Sequence, residues 1–177
     1  MSGLRSPKWK QAAAKPVVAA RSVAVGHLRA ARGPFEFLAE GVATSVVVCG
    51  HDPRTHISGM VHFMLPSSRV DPVLADEQAC LFGDLAVTTL LQNLESMGAP
   101  LRRLEVWVVG GAGILNLPVP LDIGHKNAEV AQALLRRANV EIKSVEVGGF
   151  LTRAVRFKPA EGCVEVTVVG REPLVLS

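Results

Sequence analysis

His62 is the residue whose surroundings suggest chemistry most directly, because it interrupts an apolar segment that spans residues 57–65. Burying an imidazole among apolar side chains is costly unless it forms a hydrogen bond. Two interpretations follow from this position. His62 is either a core histidine that a backbone carbonyl satisfies, or a general base that faces a nucleophilic hydroxyl or thiol.

A second candidate is the small-residue loop Gly110-Gly111-Ala112-Gly113, which follows an apolar run and has the composition of a nucleotide-binding turn. A dinucleotide site would need a third glycine where this chain has Asn116, and a helical pattern directly after it. Neither is present in the sequence. We therefore expect a tight loop whose backbone closely approaches a substrate or another strand, and no nucleotide cofactor.

The potential metal ligands cluster in one region, at Cys49, His51, His56 and His62. Cys49 and His51 would point to the same side of a strand, but the spacing of the four residues matches no standard zinc pattern. We therefore expect no metal site. Three cysteines in the chain cannot all pair with one another, and we expect no disulfide framework either.

Hydrophobic periodicity predicts the elements that carry these residues. Apolar positions recur at helical spacing over residues 84–97 and 127–138, and Asn127 is a possible N-cap of the second helix. Short β-branched runs predict the strands, which cover residues 45–49, 57–65, 104–109, 140–147, 154–157 and 163–169. Because the strands outnumber the helices and come in consecutive groups, we predict a single-domain α+β sandwich with a mixed or largely antiparallel sheet and two main helices.

Composition and charge narrow the function classes. The chain has 177 residues, of which 49% are hydrophobic and 20% are charged, and this excludes a disordered chain. Residues 1–33 carry seven basic side chains and no acidic one, whereas the remainder carries 12 basic and 16 acidic side chains. We interpret residues 1–20 as a basic, flexible N-terminal extension of a domain at residues 21–177. We expect neither nucleic-acid binding, membrane insertion nor export.

Six sequence blocks occur one after another along the chain. They are Val46-Val47-Val48-Cys49 with Asp52-Pro53, Gly59-Met60-Val61-His62-Phe63-Met64-Leu65-Pro66, Gly83-Asp84, Gly110-Gly111-Ala112, Ile123-Gly124 with Asn127, and Gly148-Gly149 with Arg153 and Phe157. In this order and spacing the blocks resemble the CheD family of chemoreceptor glutamine deamidases. The resemblance covers roughly residues 23–170.

The resemblance implies a cytoplasmic protein that converts receptor glutamine side chains to glutamate by covalent catalysis. His62 occupies the family's catalytic histidine position. The family's nucleophilic cysteine ends a Gly-Ser-Cys triplet, and the matching residues here are Ala43-Thr44-Ser45. An assisting threonine is matched by Ala39. We expect Ser45 and His62 as catalytic residues, and Thr44, Gly110, Gly111 and Ala112 as substrate-binding residues.

Cys49 does not replace the missing thiol, because four residues along a strand span about 13 Å. Two hypotheses remain. The protein is a receptor-glutamine deamidase that uses Ser45, or it is a catalytically inactive relative that regulates chemotaxis by binding receptors or a CheC-like phosphatase.

Overall fold

The computed structural model describes residues 19–177, which form two five-stranded sheets and three α-helices. The predicted extension, residues 1–20, lies almost entirely outside the described residues. The strands are β1 (Ala20–Ser22), β2 (His27–Arg32), β3 (Glu36–Val42), β4 (Val46–Asp52), β5 (Ile57–Phe63), β6 (Glu105–Gly110), β7 (Glu141–Val147), β8 (Arg153–Lys158), β9 (Cys163–Thr167) and β10 (Leu174–Leu176). The helices are α1 (Pro72–Glu77), α2 (Gly83–Ser96) and α3 (Ile123–Arg137).

The strand order is β1-β3-β8-β9-β10 in the first sheet and β2-β5-β4-β6-β7 in the second. The β1–β3 and β6–β7 pairs are parallel, and the other pairs are antiparallel. The predicted α+β sandwich with a mixed sheet is therefore confirmed.

The second sheet is the middle layer of the molecule, and β4 shows why. Val46 and Val48 belong to the core that α2 and α3 cover, whereas Val47 and Cys49 belong to the core between the two sheets. All seven residues of β4 are buried, as are all seven of β5. A strand covered on both faces reads as a continuous apolar run, which is how both strands appear in the sequence.

The start of α3 corrects one prediction. The helix begins at Ile123 rather than Asn127, and its N-cap is Asp122, whose carboxylate accepts hydrogen bonds from the N–H groups of Gly124 (2.9 Å) and His125 (3.4 Å). Asn127 therefore lies in the second turn, where its side chain is buried instead of capping. The prediction was wrong because the first helical turn contributes little to the apolar face.

A buried carboxylate closes the β4–β5 hairpin at the end of the sandwich opposite Ser45. Asp52 accepts hydrogen bonds from the Arg54 N–H (3.1 Å), the Thr55 hydroxyl (2.7 Å) and the Arg103 guanidinium (2.6 and 3.2 Å). The hydrogen bonds from Arg103 hold the pKa of Asp52 well below its usual range, and those from Thr55 and Arg54 act in the same direction.

We predict that Asp52→Ala lowers the free energy of unfolding by about 3 kcal/mol, because the hairpin loses its shared acceptor. Since the pKa of Asp52 is lowered by folding, its stabilising effect is present above the ordinary pKa and is lost as the pH falls through the lowered one. Urea unfolding at several pH values measures both effects. The exposed Asp76→Ala is the control, and equal stability of the two variants would contradict the prediction.

Candidate functional site

Ser45 and His62 meet at the edge of the layer between the two sheets. The antiparallel register of β4 and β5 places Val47 opposite His62, and Ser45 lies two residues before Val47 on the same face. The Ser45 Oγ is 2.8 Å from the His62 Nε2, a good hydrogen-bond distance. Both residues are buried. The structure thus brings together the two residues predicted to be catalytic.

The other ring nitrogen of His62 determines which way this hydrogen bond runs. The His62 Nδ1 lies 3.4 Å from the backbone carbonyl oxygen of Val23, at the end of β1. A carbonyl only accepts hydrogen bonds, so we assign the ring proton to Nδ1. The Nε2 is then free to accept the hydrogen bond that the Ser45 hydroxyl donates, as a general base requires.

The protonation state of His62 agrees with this assignment. Burial lowers the pKa of His62 below its ordinary value of 6.5, and the hydrogen bond to the Val23 carbonyl opposes that effect more weakly. The ring is therefore neutral at pH 7 and can take up a proton.

The loop after β6 is hydrogen-bonded to the Ser45 segment. The Gly111 N–H donates to the Ser45 carbonyl oxygen (2.8 Å), and the Ala112 N–H donates to the Ala43 carbonyl oxygen (2.7 Å). Gly110 has a φ of 122°, and a side chain there would collide with the Ser45 carbonyl oxygen. These three residues lie beside the Ser45 segment, and their predicted contact with substrate stays a prediction.

Thr44 and Ser45 themselves have unused backbone donors. Neither N–H donates a hydrogen bond to another residue in the described part of the chain. Pairs of unpaired N–H groups next to a nucleophile are typical of oxyanion-binding sites.

Ala39 lies on β3 and is buried in the core between the sheets. Val23 is held next to it, because the Val23 N–H donates to the Leu38 carbonyl oxygen (2.8 Å). A methyl group cannot form a hydrogen bond, and the Val23 carbonyl is the partner that His62 Nδ1 finds. Sequence reasoning missed this partner because any residue type presents a backbone carbonyl.

Cys49 has the environment of a core residue, as predicted. It is buried between the sheets and pairs with Met60, not with His62, across the β4–β5 ladder. Burial strongly raises the pKa of its thiol, so the reactive thiolate is disfavoured.

The candidate metal ligands do not come together in the structure. The His51 Nδ1 is 3.0 Å from the Ser58 Oγ, at the far end of β4 from Ser45. Within residues 19–177, no three His, Cys, Asp or Glu side chains are close enough together to hold a metal ion. The same part of the chain has no helix long and apolar enough to cross a membrane.

A hydroxyl that donates to a neutral imidazole has the arrangement found in hydrolases with a serine nucleophile.

Comparison with known proteins identifies the family of the chain. The model of the family described as CheD chemotactic sensory transduction matches residues 64–168. The chain therefore belongs to the CheD family.

Curated relatives agree with this assignment. The chain is 28% identical to the probable chemoreceptor glutamine deamidase CheD of Clostridium acetobutylicum, over 84% of this chain and 90% of the relative. It is 30% identical to the protein of the same name from Solibacter usitatus, over 85% of this chain and 89% of the relative. A third relative, the probable chemoreceptor glutamine deamidase CheD 1 of Burkholderia thailandensis, is 33% identical over 68% of this chain and 52% of the relative.

The buried, neutral imidazole leads to a pH prediction. Folding lowers the pKa of His62, so the unfolded chain binds more protons than the folded one just below pH 6.5. Above pH 6.5 we expect the contribution of His62 to stability to be constant, because the ring is neutral in both the folded and the unfolded chain. As the pH falls below that value, the free energy of unfolding decreases by up to about 1.4 kcal/mol per pH unit until the lowered pKa is reached.

Ring-nitrogen NMR of His62 and urea unfolding between pH 5 and 8 measure this. Burial also lowers the pKa of His51. Because His62→Gln leaves His51 unchanged, the difference between this variant and the wild type gives the contribution of His62 alone. A His62 midpoint at or above 6.5, or a proton on Nε2 at pH 7.5, would contradict the assignment.

Proposed function

We propose that this CheD-family protein is a glutamine deamidase of chemoreceptors that uses Ser45 as nucleophile and His62 as general base and acid. The observation that carries the proposal is the 2.8 Å contact between the Ser45 Oγ and the His62 Nε2. The names of the relatives supply the substrate, since they are called chemoreceptor glutamine deamidases.

The reaction has two stages. The neutral His62 takes the Ser45 proton as the oxygen attacks the carboxamide carbon of a glutamine side chain, and the imidazolium then protonates the departing ammonia. The product of this stage is an ester between Ser45 and the receptor. In the second stage His62 takes a proton from a water molecule, whose oxygen attacks the ester carbon. The ester breaks to give glutamate, and the imidazolium returns the proton to the Ser45 oxygen.

The negative charge that develops on the carboxamide oxygen needs hydrogen-bond donors. The N–H groups of Thr44 and Ser45 are available for this purpose. Gly111 and Ala112 have committed their own N–H groups to the carbonyls of Ser45 and Ala43. These hydrogen bonds fix the direction of the Thr44 and Ser45 donors. We expect Gly110, Gly111 and Ala112 to form one side of the substrate site.

The limited exposure of Ser45 favours a side-chain amide over a main-chain amide. Only 6% of its surface is accessible, so an approaching group must be slender. The terminal carboxamide of glutamine stands at the end of a flexible chain and meets this requirement, whereas a peptide bond has bulky neighbours on both sides.

A different observation favours a second candidate function. The His62 Nδ1 faces a neutral carbonyl, that of Val23, at 3.4 Å. No carboxylate of the described residues stabilises the imidazolium that forms during the reaction. A catalytically inactive protein that binds receptors or a CheC-like phosphatase would tolerate this arrangement. Both functions place the protein in the cytoplasm.

The deciding experiment incubates the protein with a receptor cytoplasmic domain and measures conversion of glutamine to glutamate by mass spectrometry. We expect conversion by the wild type and a loss of at least about a thousandfold for Ser45→Ala. The matched control is Ser58→Ala, since Ser58 is also buried and hydrogen-bonded to a histidine, His51, at 3.0 Å. Equal conversion by wild type and Ser45→Ala would overturn the proposed nucleophile.

A reverse substitution separates a weak nucleophile from a defective site. We expect Ser45→Cys combined with Ala39→Thr to deamidate the same domain faster than wild type, because a thiolate forms more readily beside an imidazole. If neither the wild type nor this variant converts glutamine, while the wild type and Ser45→Ala bind the domain with equal affinity in calorimetry, the binding function is the correct one.

A further inference from the structure

Asn127 is a fully buried amide that bridges two backbone segments of the candidate site. Its Nδ2 donates to the Thr44 carbonyl oxygen at 2.9 Å and to the Met64 carbonyl oxygen at 2.8 Å. Thr44 directly precedes Ser45, and Met64 follows His62 by two residues. One side chain of α3 therefore binds both strand ends that meet at the Ser45–His62 pair, the start of β4 and the end of β5.

The orientation of this amide follows from its partners. Both partners are carbonyl oxygens, which only accept, so the NH2 group must face them and use both of its protons. The Oδ1 then points the other way, and within the described residues it is buried without a hydrogen-bond partner. A side chain selected only for packing would not bring an unpaired acceptor into the core. The two donated hydrogen bonds thus explain the presence of an amide at this position.

Asn127 also completes a series of three anchored carbonyls. The Ala43 carbonyl oxygen accepts from the Ala112 N–H, and the Ser45 carbonyl oxygen accepts from the Gly111 N–H. Thr44 lies between them, and its carbonyl oxygen is bound by the Asn127 side chain. With all three carbonyls bound, the orientation of the peptide planes around the Ser45 hydroxyl is fixed.

The helix that carries Asn127 is itself held firmly. Gly124 packs so tightly against the Ala112 carbonyl that a side chain there would overlap it, and the Asp122 carboxylate caps the first turn. The N-terminal part of α3 therefore cannot shift without moving the loop that supports Ser45. It provides a rigid base from which the Asn127 amide can hold the two strand ends.

We propose that Asn127 is a positioning residue that keeps the Ser45 Oγ within hydrogen-bond distance of the His62 Nε2 by tying the Thr44 and Met64 carbonyls together. Its catalytic consequence rests on the proposed deamidase function. The geometric effect does not, since it concerns the coupling between position 45 and the imidazole. That coupling can be measured without a receptor.

The test uses Ser45→Cys as a reporter, because a thiol next to an imidazole ionises at a lower pH and reacts faster with iodoacetamide. The pH profile of alkylation at position 45 is followed by peptide mapping, in the reporter alone and with Asn127→Asp or Asn127→Ala added. Asn127→Asp has nearly the same volume but cannot donate to both carbonyls at once. The half-buried Cys80 is an internal reference in every sample.

With Asn127 intact, we expect the thiol at position 45 to ionise below the ordinary cysteine value of about 8.5, and either substitution at Asn127 to slow its alkylation at pH 7 by about tenfold. The matched control is Asn93→Ala, since Asn93 is also an amide that donates to a carbonyl, that of Thr89 within α2. Unchanged alkylation at position 45 in folded Asn127 variants would overturn the proposal.

A second measurement applies if the Asn127 variants fail to fold. In the wild type, we expect both side-chain amide protons of Asn127 to exchange slowly with solvent, and rapid exchange in the folded protein would overturn the proposal. The two proposals also fail separately. Loss of coupling in the Asn127 variants without any receptor deamidation would support the positioning role and reject the deamidase, whereas deamidation unaffected by Asn127→Asp would reject only the positioning role.

Discussion

The hydrogen bond between the Ser45 hydroxyl and the His62 imidazole depends on one constraint, which is the register of β4 against β5. The pairing of Val47 with His62 places both members of the dyad on the face between the sheets. A shift by one residue would turn His62 toward the helices and separate the pair. The register is maintained at one end by the carbonyls anchored around Ser45 and at the other by the Asp52 hairpin.

Burial helps His62 to act as a base and also makes its protonated form unfavourable. The layer between the sheets excludes water, so the imidazole stays neutral and accepts the serine proton. The same layer makes an imidazolium costly, and the Val23 carbonyl offers it only one long contact. A thiolate–imidazolium pair forms more readily than an alkoxide does. The replacement of the family's cysteine by Ser45 therefore places a greater demand on the backbone donors that receive the developing charge.

The sequence predicted the helices and strands whose buried apolar residues form a regular pattern. The helix at 84–97 differs from α2 by one residue at each end, and the apolar strands at the centre of the second sheet were identified. The strands β1, β2, β3 and β10 were not predicted. β2 carries two arginines and a histidine, and β1 and β10 have only three residues each, so no apolar run marks these three strands.

In the candidate site, side chains could be predicted from the sequence, whereas backbone groups could not. Ser45, His62 and Ala39 could be identified because the resemblance to CheD assigns positions to side chains. The Val23 carbonyl and the N–H groups of Thr44 and Ser45 could not, because the tertiary fold alone brings them together. Asn127 was noticed but was predicted to be a cap, since a polar residue before an apolar helical pattern usually has that function.

A covalent intermediate on Ser45 would be the clearest sign that this residue is the nucleophile. Acid quenching of the protein during incubation with a receptor cytoplasmic domain, followed by peptide mapping, would reveal an ester. We expect the adduct on Ser45, formed together with released ammonia. Ammonia release without any adduct, and at the same rate when Ser45 is replaced by alanine, would contradict it.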